Sequence, residues 1–228
     1  MGEPVRVMLE HGKKRCVVAC AVDWPGWDRS TTLGGDVLAV LDAYRHRFAA
    51  VAELAGYGDE FARLRELAIV EEVEGIGMTD DYGVSGRAAS VELDPLTDAQ
   101  LERKLALLEA AWATFDTTAE RVSAELRTGP RGGGREKAEI VRHVNGAEIR
   151  EFAPKVGVKM TKGTMDNPEA LAAYRDAVVL AIRDHHHRGE PARSWALQFL
   201  IPTLCLAHAR PRLGARGSRP HRPSVGGR

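Results

Sequence analysis

Residues 128 to 148 constrain this chain more than any other stretch. They read Thr-Gly-Pro-Arg-Gly-Gly-Gly-Arg-Glu-Lys-Ala-Glu-Ile-Val-Arg-His-Val-Asn-Gly-Ala-Glu. Glycine and proline at that density cannot continue a helix, so any element upstream must end before this loop. From about Arg135 the pattern changes, and Ile140, His143, Val144, Ala147 and Phe152 recur at a core-like helical spacing. A long helix must therefore precede the loop and a second must follow it.

The long helix has a clear start. Asp94-Pro95-Leu96-Thr97 marks the expected boundary between two units, and Thr97-Asp98-Ala99-Gln100 is a capping box. Leu101, Leu105, Leu108, Trp112, Phe115 and Val122 form an apolar stripe that carries the helix to about Leu126. A third helix starts at Asn167-Pro168, an N-cap followed by proline at the first position. It runs to about His186 through Leu171, Tyr174, Val178 and Ile182. Three helices with this patterning suggest a bundle that needs a fourth member.

Ahead of the boundary the pattern is that of a small α/β unit. Residues 5–9 and 15–22 are apolar, β-branched runs joined by His11-Gly12-Lys13-Lys14, which reads as a β-hairpin. Asp23-Trp24-Pro25-Gly26-Trp27 stops the second strand. Val37, Leu38, Leu41, Tyr44, Phe48, Val51 and Leu54 then predict one amphipathic helix over about 35–55. Residues 67–73 read as a strand, and 88–93 as one more. Cys16 and Cys20 lie on one strand face. With Cys205 they fit neither zinc nor redox spacing, and they read as small core residues. Trp24 and Trp27 either form an exposed aromatic platform for a partner or cap their own core.

Composition excludes some classes. No run approaches the roughly eighteen apolar residues of a membrane helix, and the first residues lack a secretory signal, so the cytoplasm is the expected location. The formal net charge is zero, yet residues 203–228 hold six arginines and no acid. The other 26 basic residues therefore face all 32 acidic ones. An acidic body with a basic tail does not resemble a nucleic-acid footprint, so neither a membrane nor a nucleic acid is expected as partner.

Two resemblances follow from these residues. The hairpin followed by Val22-Asp23-Trp24-Pro25-Gly26 and Gly35-Asp36 resembles the HicB-like module over about residues 4 to 56, although the family's usual Thr and Glu-Ala helix start are missing. Residues 129–135 leading to Arg142-His143-Val144-Asn145-Gly146-Ala147-Glu148 resemble the DinB/YfiT-like four-helix bundles, over 96 to roughly 200. Together they imply an α+β chain, with a small antiparallel α/β module at 1–93, a DinB-like up-down bundle at 96–202 and a disordered basic tail at 203–228.

In the DinB-like family a histidine on helix two joins two histidines four apart on the last helix to bind a divalent metal. Here the resemblance marks His143 as the metal ligand and implies zinc or nickel in the ancestral protein, for thiol transfer or hydrolysis. The last-helix pair is absent, because the chain reads Thr203-Leu204-Cys205-Leu206-Ala207-His208-Ala209-Arg210-Pro211 where W-H-x-x-D-H-x-W-E belongs. Impaired activity and no bound metal are therefore expected, and an uncovered bundle face predicts poor solubility or a homodimer. The alternative is a non-enzymatic binding or regulatory module, in which the HicB-like unit binds a protein through its sheet or its Trp24/Trp27 turn.

Other candidates carry bland readings. His185-His186-His187 point about 100° apart on a helix and read as a solvated helix end. The glycine loop lacks a Gly-Lys-Ser/Thr ending and reads as a connector. Asp23, Glu139 and Glu148 are possible carboxylate partners, with nothing specific to raise them above surface charge.

The tail composition has a specific explanation. Arg-, Pro-, Gly- and Ala-rich sequence is what a GC-rich gene yields out of frame. One permitted codon choice for residues 203–219, read one nucleotide later, gives R-S-A-W-H-T-L-D-H-A-W-E-L-E-D-R. Sequencing the gene across these codons is expected to show that shifted helix. Nucleotides that cannot be shifted into it would dispose of the idea.

Overall fold

The computed structural model describes residues 3–122, 136–161 and 163–189, and the backbone alone of 151 and 152. The glycine loop at 129–134, Cys205, His208 and the tail lie outside the described residues. The fold is mixed α+β, with a four-stranded sheet at the N-terminal end followed by helices.

The hairpin forms from β1 (Val5–His11) and β2 (Cys16–Ala21), paired antiparallel with Val7 opposite Ala21. At Trp24-Pro25-Gly26-Trp27 the chain turns tightly, with Gly26 at φ 96°, a value that favours glycine. It then returns as β3 (Asp28–Thr32), antiparallel to β2. The sequence of β3, Asp-Arg-Ser-Thr-Thr, has no apolar alternation, which hides it from pattern reading.

Helices α1 (Val37–Ala43), α2 (Arg45–Leu54) and α3 (Gly58–Ala62) follow. The single helix expected over 35–55 is thus two, meeting at Tyr44. Val37, Leu41, Phe48 and Val51 of its stripe are buried, whereas Leu54 is exposed. These helices carry the chain back across the sheet, so β4 (Leu67–Glu74) starts at the same end as β1 and runs parallel to it. The sheet order is β3-β2-β1-β4. The module expected to be antiparallel is therefore built on a mixed sheet.

A strap over residues 75–93 then crosses the second face of the sheet. It contains the short helix α4 (Gly77–Tyr82) and a 3-10 turn at Ser90–Leu93, where a strand was expected. Ala89 is the buried apolar residue of this turn region, and it packs on Met8 and Val22.

Helix α5 (Asp98–Arg121) starts at the capping box read from sequence. The Gln100 N–H donates to Thr97 Oγ1 at 3.3 Å, and the Thr97 N–H donates to Gln100 Oε1 at 2.8 Å. The helix has two buried faces. Leu107, Ala110 and Ala111 enter the core beneath the sheet, with Val5, Val7, Leu9 and the aromatic residues. Leu101, Leu105, Leu108 and Trp112 enter a second core with residues of the later helices. Those helices are α6 (Lys137–Ala147), continued by a π-turn at Glu148–Phe152 and a 3-10 turn at Ala153–Val156, and α7 (Pro168–Arg188). Asn167 caps α7 as expected, its Oδ1 accepting from the N–H groups of Glu169 and Ala170 at 2.9 and 3.1 Å.

The first core centres on Trp24, Trp27, Phe48 and Phe61, whose ring centroids lie 4.8–6.2 Å apart. Both tryptophans are 1 % exposed, and Trp27 Nε1 donates to the Leu41 carbonyl at 3.0 Å. They cap their own core, which removes the exposed aromatic platform considered from sequence. Arg103 of α5 covers Trp24 from outside, its guanidinium carbon 4.2 Å from the ring centroid. A partly desolvated contact of this kind is worth about 1 kcal/mol.

Leu107 and Leu108 are neighbours in sequence but belong to different cores. Truncating either to alanine should cost about 3 kcal/mol, typical of a buried leucine. In urea unfolding each substitution is expected to lower the midpoint of one common transition. Two separated transitions, each moved by a single substitution, would show that the cores are not joined through α5.

Candidate functional site

His143 is the ligand that the sequence singles out, and it is exposed on α6. The face expected to be buried here is not the one the helix buries. Ile140 and Val144 are half-buried, while Asn145, Gly146, Glu148 and Ile149 turn inward. A π-turn follows at Glu148–Phe152. Its extra residue rotates the chain, so Ile149, Ala153 and Val156 supply the core contacts instead. The Phe152 side chain lies outside the described residues.

Glu148, read as surface charge, is fully buried. Its Oε2 accepts from Trp112 Nε1 of α5 at 3.0 Å, tying the turn after His143 to the central helix. The Tyr174 hydroxyl and Asn145 Oδ1 are also buried, without a hydrogen-bond partner among the described residues. Burial first, and then the negative charge of Glu148, push the Tyr174 phenol well above its ordinary range. Arg175 is paired with Asp116 at 2.5 Å, and its guanidinium carbon lies 5.2 Å from the Trp112 ring centroid. A buried carboxylate and an ion pair thus meet at Trp112. Period-3.6 reading marks the apolar residues of this core and passes over its polar ones. The signal available was the (i, i+3) spacing of Asn145 and Glu148.

No group of three His, Cys, Asp or Glu side chains able to hold a metal occurs among the described residues. His186 contacts Asp98 at 2.8 Å, and His187 Nδ1 contacts the Arg183 carbonyl at 2.8 Å. The three-histidine tract therefore does not converge on one point. Asp23 is bound by Arg6 Nε at 2.8 Å, a surface ion pair.

The N-terminal unit holds a second buried carboxylate, missed by sequence reading. Glu10 alternates with Val7 and Leu9 and would face solvent, except that the strap covers its face of the sheet. Thr79 Oγ1 donates to it, as do Ser85 Oγ at 2.6 Å and the N–H groups of Gly86 and Arg87 at 2.9 and 3.1 Å. Cys20 lies on the same face, partly exposed. Burial, and then the nearby Asp28, raise its thiol well above the ordinary value, which makes it a poor nucleophile. At the far end of the strap Asp80 accepts N–H bonds from Lys13, Lys14, Arg15 and Cys16 of the hairpin turn. Desolvation works to raise Asp80, and these N–H groups outweigh it and hold the carboxyl below its usual range.

Comparison with protein-family models, curated proteins and solved structures gives no match to the chain.

Glu10 thus acts as a clasp occupied by its own chain. Glu10→Ala should leave the strap donors unpaired and cost about 3 kcal/mol. Hydrogen exchange is expected to show lost protection at Gly86 and Arg87 with α7 unchanged. Unaltered protection at Gly86 and Arg87 would show that the clasp does not hold the strap.

Proposed function

We propose that the helical unit is a DinB-like divalent-metal centre of the thiol-transferase or hydrolase type, with His143 as the ligand from its second helix. The orientation of α6 supports this reading. The helix turns Asn145, Gly146 and Glu148 inward and leaves His143 exposed beside the half-covered Ile140 and Val144. Glu139, also exposed, precedes His143 by four residues and shares its face. An imidazole and a carboxylate on one open helical surface are a donor set suited to zinc or nickel.

These two side chains fit such an ion in part. When bound, the ion would serve as a Lewis acid toward a thiol or water. The Glu148–Trp112 bond holds the turn that follows His143, so the imidazole stands on a fixed support. The family's last-helix pair of imidazoles has no counterpart in the sequence, so this reading is of a weakened descendant.

Calorimetric titration of the full chain with zinc tests it. The chain as purified is expected to carry no metal; added zinc is expected to bind weakly at one site, and His143→Ala should weaken that binding by at least about tenfold, as loss of a metal-site contact does. Binding that is absent, or that is equal in His143→Ala, would reject the reading. Equal binding would place the ion at residues other than His143.

A further inference from the structure

The outer edge of the sheet is open. β4 bonds to β1 on one side, and the sheet order leaves its other side without a strand among the described residues. The bonds at its two ends set the direction of its backbone groups. Val5 N–H donates to the Glu66 carbonyl at 2.9 Å, and Gly75 N–H donates to the His11 carbonyl at 2.7 Å. The register steps from Val7 opposite Ile69 to Met8 opposite Glu71, which makes Val70 a bulge residue. Alternation from both ends then turns the N–H and C=O of Leu67, Ile69, Glu72 and Glu74 outward.

The charged side chains of β4 itself are all acidic, and Glu72 Oε2 contacts His11 Nε2 of β1 at 2.7 Å on the exposed surface. Ile69 and Val70 are 45 % and 49 % exposed, and Glu72 and Glu74 are exposed. Edges are ordinarily protected by bulges and charges, here the Val70 bulge and the glutamates, and above all by lysine or proline. The stretch Leu-Ala-Ile-Val-Glu-Glu-Val-Glu contains neither, nor any arginine. A second copy is a poor partner for it. Antiparallel self-pairing sets Glu72 and Glu74 against Ile69 and Leu67, or Glu72 against its own copy, with no cation in the strand to neutralise them.

We propose that β4 takes up an extended segment of a partner protein as a fifth strand. That segment places two apolar residues beside Leu67 and Ile69, and two Lys or Arg residues beside Glu72 and Glu74. Main-chain bonds to the outward groups supply the affinity, and the acidic end of the strand selects the basic partner. This surface belongs to the N-terminal unit and stands independently of any metal at His143.

The test uses the full chain and a fluorescein-labelled peptide, Val-Thr-Val-Thr-Lys-Thr-Lys, followed by anisotropy. A peptide with Glu in place of Lys is the control. The basic peptide is expected to bind, and more weakly as salt rises. Glu72→Pro removes an outward N–H that β1 does not use, so it should keep the thermal midpoint and weaken binding by about tenfold. The double variant Glu72→Lys with Glu74→Lys should instead prefer the acidic peptide, and it decides the matter if Glu72→Pro fails to fold. Equal binding of the two peptides to the unmodified chain, or unchanged binding by folded Glu72→Pro, would overturn the proposal. A dimer in sedimentation that Glu72→Pro dissolves would overturn it in favour of a second copy.

Discussion

One helix is buried on two sides, and the rest of the structure depends on it. An amphipathic surface helix hides a single stripe, but α5 contributes Leu107, Ala110 and Ala111 to one core and Leu101, Leu105, Leu108 and Trp112 to another. Neither core is complete without it. The sheet and its aromatic residues need a cover, which α5 supplies together with Arg103 over Trp24. The turn after α6 and the face of α7 need a wall, which the opposite side of α5 supplies. Seven residues of α5 between Leu101 and Trp112 are buried, shared between its two sides, and this apolar burial orders the middle of the chain.

Buried glutamates then fasten the parts that apolar contact does not. Ile76, Tyr82, Val91 and Leu93 of the strap are exposed, so the strap has little hydrophobic reason to lie where it does. Glu10 holds it from below and Asp80 holds its end to the hairpin. In the helical unit Glu148 does the same for the π-turn through Trp112. A buried carboxylate is costly unless hydrogen-bonded, and each of these recovers that cost by accepting from a different part of the chain. The two glutamates therefore specify position more than they add to net stability.

Much of the fold was legible because it rests on local chemistry. Thr97 with Gln100, and Asn167 with Pro168, mark helix starts wherever they occur, and both hold here. The hairpin and the apolar stripe of α5 follow from periodicity. What was not legible depends on pairing across the chain. β3 is a strand because the Pro25-Gly26 turn lays Asp28–Thr32 beside β2, although its own residues are polar. β4 is parallel because three helices bring the chain back across the sheet. The second buried face of α5 was hidden because Leu107, Ala110 and Ala111 read as filler between the stripe residues. For the candidate site, His143 was found by its place in a motif. Glu10 was passed over and Glu148 was named but weighed as surface charge, since a glutamate in an amphipathic pattern reads as solvated until something is known to cover it.

The central claim is that α5 joins the two cores into one cooperative structure. Native-state hydrogen exchange along α5 in low denaturant tests this most directly. The amides of Leu105, Leu107, Leu108 and Ala111 should exchange with one common free energy, shared by β1 and by the buried turn of α7 around Val178. Contradiction would come from α5 amides that track only β1, or only α7, while the other core opens at a lower free energy.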